Sequence, residues 1–523
     1  MKIGLVKEGI RNQEFTVFKF ANMRSRLMVI FGGSGDLARR KLIPALYMLH
    51  KGSKLDKDFK IVATGRSEIS TNDFIIRADE ALKTFINKGD YDKAEVEGFL
   101  NRISYFVADP EIEDDMLKLA QYLSKLDPNN IDRKTLFYLA TPPSLYGVIP
   151  ENLKNAGLVS PFSRIIVEKP FGYDLSSAVK MNDVLRDVFS EKQIFRIDHF
   201  LGKETVQNIL ALRFANGIFE PLWNRNYIDR VEITAVENMG IVDRGAFYDK
   251  TGALRDMVQN HLIQLLALVA MEPPIAFNEK EFRNEVVKVY RSLRPLNPED
   301  IVKNVIRGQY IESHIKRGER ILPYREEKNV EPDSKTETFL AMKVNISNWR
   351  WEGVPFYIRT GKQMPTKVTE IVIHFKPTPH KLFSTRSDCP EQNQLIIRLQ
   401  PNEGAVLKFD VKKPGSGFEI KQVPMEFTYD KLGGVQSGDA YSKLIEDCLN
   451  GETVLFTRSD AVEASWTYFD PILKQWELDA NFPLYGYPAG TWGPVESDSI
   501  IEGGKRWSNP CKNLTDTDKY CEL

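Results

Sequence analysis

Arg196-Ile197-Asp198-His199-Phe200-Leu201-Gly202-Lys203-Glu204 puts two acids, an imidazole and two basic side chains into nine consecutive residues. Core packing alone asks for no such mixture. The combination suits the neutralising of a small anionic ligand, with a carboxylate left over to orient another group. Taken alone, a run of this kind is more often a solvated, salt-bridged surface. The partners available elsewhere in the chain decide between the two.

Three other segments have the composition of a site. Glu168-Lys169-Pro170-Phe171-Gly172 ends an apolar run that reads as a buried strand, and open α/β sheets hold their ligands at such strand ends. Lys169 there reaches both a cofactor and a substrate, or faces water. Arg255-Asp256-Met257-Val258-Gln259-Asn260-His261 opens a strongly apolar helix. A histidine on such a helix is more often a satisfied core residue, but Asp256, Gln259 and Asn260 make this end of it polar. Trp351 to Lys362 reads as a strand and loop with a basic residue after a glycine turn.

The opening of the chain carries a different motif. Gly32-Gly33-Ser34-Gly35-Asp36-Leu37-Ala38 lies between the apolar run Arg26–Phe31, read as a strand, and a helical pattern over Asp36–His50. Glycines at that place allow a tight turn and let backbone N–H groups approach a pyrophosphate at the positive end of the helix. The second expected strand, Phe59–Thr64, is followed by Gly65-Arg66-Ser67. An acidic residue there would bond a ribose 2′-hydroxyl; a guanidinium and a hydroxyl suit a 2′-phosphate instead. NADP is therefore expected, with NAD as a second acceptor because Glu68 is close. Pro142-Pro143 reads as a rigid turn beside the nicotinamide, with a cis bond as one option.

The elements that would position these residues fall into two textures. Helices and short apolar runs alternate at first, with a helix expected from Asn72 to Phe85 and strands at Ile103–Val107, Thr135–Leu139 and Arg164–Val167. That alternation predicts a doubly wound, Rossmann-like α/β domain. Helices are then expected at Glu204–Phe214, Leu254–Met271 and Pro298–Val305. The strand-like runs Val231–Val236, Thr338–Val344, Thr369–Phe375, Gln394–Leu399 and Ala405–Val411 mostly lack helical crossovers, which predicts an α+β domain with a mostly antiparallel sheet. The expected division is 1–25 as an extension without an assigned role, 26–198 as the dinucleotide-binding domain and 199–523 for substrate binding and oligomerisation. Ser313–Lys335 reads as a loop.

The totals exclude several classes. A chain of 523 residues exceeds one ordinary core, and 42% hydrophobic with 27% charged residues is a globular composition. With 71 basic and 72 acidic residues, nucleic acid is not an expected partner. Cys389, Cys448, Cys511 and Cys521 form no CxxC pair or metal-ligand spacing, so no metal is expected and a reduced, cytoplasmic setting is. The longest strongly apolar run, Leu262–Met271, contains Gln264 and falls short of the ~20 residues of a membrane span.

In order along the chain, G-x-x-G-D-L at Gly32, E-K-P-F-G at Glu168, R-I-D-H-F-L-G-K-E at Arg196, R-D-M-x-Q-N-H at Arg255 and R-W-x-G-V-P-F-x-I-R-T-G-K at Arg350 resemble the glucose-6-phosphate dehydrogenase family. Later blocks, Ile397–Pro401, Asp439-Ala440-Tyr441, Trp466 with Asp470–Ile472, and Tyr487–Trp492, are similar too. The resemblance implies NADP-dependent oxidation of glucose 6-phosphate at C1 to the 1,5-lactone, the first oxidative step of the pentose phosphate pathway. It implies His261 as general base, Asp198 on its far ring nitrogen, and His199 and Lys203 on the phosphate. Lys169, Glu237, Asp256 and Lys362 match the family's sugar contacts, with Lys367 and Gln400 as weaker candidates. The cofactor would lie on Gly32, Gly33, Ser34, Gly35, Asp36, Leu37, Arg66, Ser67, Pro142 and Lys169. The family implies a homodimer or homotetramer. Phe200 stands where the family often has Tyr, so one hydrogen bond to the phosphate is missing, worth ~1 kcal/mol. E-K-P also occurs in the glucose–fructose oxidoreductase-like group, so a related sugar oxidoreductase is the alternative; a non-catalytic NADP-binding sensor is another.

Overall fold

Leu27–Phe31 forms strand β1, and all of its residues are buried. Its alternate side chains feed two different cores: Met28 and Ile30 enter one apolar cluster, Leu27, Val29 and Phe31 another. This is the period-two pattern of a strand covered on both faces. The same sheet holds β2 (Lys60–Gly65), β3 (Ile103–Val107), β4 (Thr135–Leu139), β5 (Arg164–Glu168) and β6 (Ile194–Ile197). Their order is β3-β2-β1-β4-β5-β6, and every pairing is parallel. The direction of winding therefore reverses between β1 and β4, where doubly wound sheets bind dinucleotides.

The computed structural model describes residues 24–130, 132–314, 320–380, 382–383, 392–415, 417–432 and 440–510. Nearly all of the expected extension 1–25, together with Cys389, Cys511, Cys521 and Asp439, lies outside the described residues. The helix expected over Asp36–His50 starts at Asp36, is π-wound over Ala38–Leu42 and continues as an α-helix over Ile43–Lys51. The next helix, Thr71–Phe85, starts where Ser70 accepts the N–H of Asp73.

The second sheet is built from β7 (Ile228–Val236), β8 (Val305–Ile311) and, after a small ribbon of β9 (Ser313–His314) with β10 (Arg320–Ile321), from β11 (Phe339–Val344), β12 (Phe356–Gly361), β13 (Val368–Phe375), β14 (Gln394–Gln400), β15 (Gly404–Lys412), β16 (Ile420–Thr428) and β17 (Tyr485–Pro488). The order is β16-β15-β14-β13-β7-β12-β11-β8-β17. Only β12 on β7 and β17 on β8 pair in parallel, so the sheet is mostly antiparallel as expected. β8, β16 and β17 have no counterpart among the expected strands. β16 contains Pro424 and is largely exposed, which an edge strand tolerates and a sequence pattern hides. The ribbon β9–β10 replaces part of the expected loop.

Ile233 of β7, Ile358 of β12 and Ile371 of β13 pack with Leu254, Val258 and Leu262 in one cluster. The opposite face of these strands carries Arg230, Glu232, Arg359, Glu370 and His374, all buried. The C-terminal stretch satisfies several of them: the Ser508 N–H donates to Glu232 at 2.7 Å, and Arg359 donates to Asn509 at 2.8 Å. Among the described residues no helix is long and apolar enough to cross a membrane.

Candidate active site

The C-terminal ends of strands from both sheets converge on one place. β5 leads into Lys169, β6 into Asp198, β7 into Glu237, β12 into Lys362, and β14 ends on Gln400. One helix supplies Asp256 and His261. It is π-wound over Leu254–Leu262 and α-helical over Ile263–Ala270. At the α-helical 100° per residue, side chains five apart would point about 140° away from each other; the wider i→i+5 winding swings them back toward one face. Lys169 exploits this, its Nζ lying 3.0 Å from Asp256 Oδ1 and 2.9 Å from His261 Nε2.

His261 is buried, and its Nδ1 lies 2.7 Å from Oδ1 of the equally buried Asp198. Burial holds the imidazole below its ordinary pKa, with Lys169 adding to the effect and Asp198 opposing it. Burial pushes the Asp198 carboxyl up, but the His261 imidazole outweighs it and leaves the group below the usual carboxylate range. Oδ2 of Asp198 is buried without a hydrogen-bond partner. Asp256 behaves similarly: burial raises it, but Lys169 and Lys362 hold it well below the carboxylate range. A neutral imidazole oriented by a carboxylate can accept a proton at its free nitrogen.

The turn after Asp198 carries His199 and Lys203. It closes through Leu201 N–H to Asp198 O and Lys203 N–H to Phe200 O, both at 3.1 Å, and the helix begins at Glu204. Gly202 has no room for a side chain, since a Cβ would lie 2.8 Å from Ala440 O. His199 and Lys203 therefore do not share a helical face. Lys203 Nζ donates to Gln400 Oε1 at 3.0 Å, and Gln400 Nε2 donates to Thr369 at 3.0 Å. Burial lowers the pKa of Lys203; Glu403 opposes this, and the exposed Lys367 adds to it. His199 is pushed down to about 3, chiefly by burial and then by His261. Lys203, with Lys367 near it, makes this recess electropositive, and the neutral His199 lies beside it. Glu237 and Lys362 pair with each other on the far side.

The glycine turn has the shape a dinucleotide needs. Gly32 adopts φ +76°, and a Cβ on it would stand 2.3 Å from Ala140 O. The N–H of Gly33 donates to Thr64 O and that of Gly35 to Gly32 O, both at 2.9 Å. At the ends of β2 and β4, the hydroxyls of Thr64 and Thr141 are buried without partners. Orphaned donors at a strand-end cleft fit a ribose-phosphate ligand. Ser34, Asp36, Arg66, Ser67 and Pro142 are exposed along the same rim, and Leu37 is half-buried. The Pro142–Pro143 bond is not cis; Pro143 instead opens the 3-10 turn Pro143–Leu145, and among the described residues the cis bonds are Lys169–Pro170 and Gln400–Pro401.

Two features of the site escaped the sequence. The Glu337 carboxylate accepts the N–H of Leu254 at 2.9 Å, so it caps the helix that carries Asp256 and His261. Only the fold joins it to a helix 83 residues away. Phe200 stacks on His261 with ring centroids 4.4 Å apart, a contact that the motif's spacing does not reveal.

Two family models match nearly the whole described chain: the NAD binding domain of glucose-6-phosphate dehydrogenase over residues 29–208 and its C-terminal domain over 210–508. The glucose-6-phosphate 1-dehydrogenase of Aggregatibacter actinomycetemcomitans is 49% identical over 489 residues, 92% of this chain and 97% of that one. That of Treponema pallidum is 46% identical over 504 residues, 95% and 98% of the two chains. Among solved structures, the glucose-6-phosphate 1-dehydrogenase of Mycobacterium avium aligns with TM-score 0.81 at 37% identity, covering 93% of this chain and 99% of that one. A glucose-6-phosphate dehydrogenase in complex with its substrate glucose 6-phosphate aligns with TM-score 0.84 at 35% identity and the same coverage. The chain belongs to the glucose-6-phosphate dehydrogenase family.

Proposed function

We propose that this protein oxidises β-D-glucose 6-phosphate at C1 to 6-phosphoglucono-1,5-lactone, with NADP as the preferred acceptor. The observation that carries the reading is the buried Asp198–His261 pair, whose second ring nitrogen faces Lys169 and whose ring lies 4.7 Å from that of His199. NADP, when bound, supplies the hydride acceptor. His261 Nε2 takes the proton of the C1 hydroxyl, and Asp198 stabilises the imidazolium that forms. His199, Lys203 and Gln400 hold the phosphate, with Lys367 at its rim. Glu237, Asp256 and Lys362 bond sugar hydroxyls, and Lys169 lies between sugar and cofactor. Arg66 and Ser67 take the 2′-phosphate of NADP.

The division at residues 198 and 199 belongs to the same reading, because it puts the base and its carboxylate on opposite sides of a domain seam. Assembly into a homodimer or homotetramer, through the large sheet, is also part of it. The test is an absorbance assay of reduced cofactor with glucose 6-phosphate, run with NADP and NAD in turn. Reduction of NADP is the expected result. Activity with neither overturns the reading, whereas a strong preference for NAD overturns only the role of Arg66.

A further inference from the structure

Phe200 touches more of this site than any motif assigns to it. Its ring lies on the His261 imidazole with centroids 4.4 Å apart and planes inclined by 14°. The Lys203 ammonium stands 4.3 Å from the centroid of the same ring. His199 meets it edge-on at 5.2 Å. Its backbone N–H donates at 2.9 Å to Asp198 Oδ1, the oxygen that also faces His261 Nδ1.

The terminal torsion of a histidine is broad. His261 is bonded at both nitrogens, but Lys169 must yield Nε2 to a substrate hydroxyl, so only the bond at Nδ1 persists through the reaction and it does not by itself fix the ring plane. A flat partner against the imidazole face removes that freedom. An aromatic face also attracts cations, so the imidazolium formed on proton uptake and the Lys203 ammonium both draw on one π system.

We propose that Phe200 is a positioning residue whose ring sets the plane of His261 and couples the base to the phosphate-binding cation Lys203. This rests on His261 being the base, as read above. It also gives the missing hydroxyl a second meaning: the ring matters to turnover, the hydroxyl only to affinity. The other titratable and charged groups facing His261 are His199 and Asp198 from the turn after β6, Lys169 from the end of β5, and Asp256 from its own helix.

The experiment compares the native chain with Phe200→Leu and Phe200→Tyr, each checked for folding by thermal unfolding and NADP binding. F200L is expected to lose about tenfold in kcat through misplacement of the base, with a smaller change in KM. F200Y is expected to keep kcat within about twofold, because it keeps the ring. In the absence of substrate, NMR titration of His261 should give the same midpoint in the native chain and F200Y. In F200L it should fall by about half a unit, as the π face that favours the imidazolium is lost. If F200L fails to fold, Phe200→Met fills the volume without a ring and carries the same comparison. Native kcat and an unchanged His261 titration in the ring-less variant overturn the proposal. So does a loss of kcat in F200Y equal to that in F200L. A native chain inactive on glucose 6-phosphate would refute the proposed function, while the NMR titration would still report on the stack.

Discussion

The ammonium of Lys169 stands 2.9 Å from Nε2 of His261, while Nδ1 of the same ring lies 2.7 Å from Asp198 Oδ1. An ammonium only donates, so Nε2 is the accepting nitrogen and the ring proton sits on Nδ1, directed at Asp198. The imidazole is thereby held in the tautomer a general base requires. The same ammonium bonds Asp256 Oδ1 at 3.0 Å, so it keeps a partner when a substrate hydroxyl takes its place at Nε2.

Replacing Lys169 by Met should therefore change two things. The cation that disfavours the imidazolium is gone, so the acid limb of the kcat–pH profile should move to higher pH. The loss of a ligand-facing donor should lower kcat/KM by at least about tenfold, within the range for charged hydrogen bonds. A pH profile superimposable on the native one would refute the tautomer argument.

His261→Asn should lower kcat by roughly 10²- to 10⁴-fold, the usual contribution of a positioned base. Binding of glucose 6-phosphate, followed calorimetrically, should survive. Asp198→Asn should fall in the same range, because an amide that donates to Nδ1 selects the wrong tautomer. Either variant with near-native kcat removes that residue from the proton path.

Legibility in the sequence followed the range of the interactions. The strand-to-glycine-to-helix opening, most strands of both sheets and the cluster Asp198, His199, Lys203 are local patterns, set by side-chain period and turn chemistry within a few residues. The pairing of Lys169 with His261 joins residues 92 apart, and Glu337 caps a helix 83 residues upstream; neither has a local signal. The π winding at Leu254–Leu262 is equally hidden, since its residues also satisfy an α-helical pattern. Phe200 drew attention for the hydroxyl it lacks, whereas what the fold uses is its face.

Lys203→Ala should raise KM for glucose 6-phosphate about 10- to 100-fold, the equivalent of one charge-assisted hydrogen bond to phosphate. The effect on kcat should be smaller, since Gln400 and Thr369 remain in place. Steady-state kinetics with free glucose as a second substrate separates the terms. An equal loss on glucose and on its phosphate would show that Lys203 does not bind the phosphate.

Arg66→Ala tests the cofactor rim. Arg66 is exposed just beyond β2, so its removal should leave folding intact. KM for NADP should rise about 10-fold or more with KM for NAD nearly unchanged, because only NADP carries the 2′-phosphate. A parallel change for both cofactors would reassign the residue.

The buried imidazoles make a prediction for stability without ligand. His199 is held down to about 3, and His261 also lies below its ordinary value. In the unfolded chain both titrate near 6.5, so below that pH the unfolded state binds protons that the folded state refuses. Their contribution is complete above pH 6.5 and is lost progressively as pH falls toward the folded values. Glu168 and Glu370, pushed up to about 7 by burial, act in the opposite direction over the same window. The quantity to read is therefore the native chain against His199→Gln, by denaturant unfolding at pH 7 and 4.5. The native chain should lose roughly 2 kcal/mol more than the variant over that interval. Phosphate should narrow the difference, because an anion in the recess favours the protonated ring. Equal losses in the two proteins would mean that His199 is not held neutral by its surroundings.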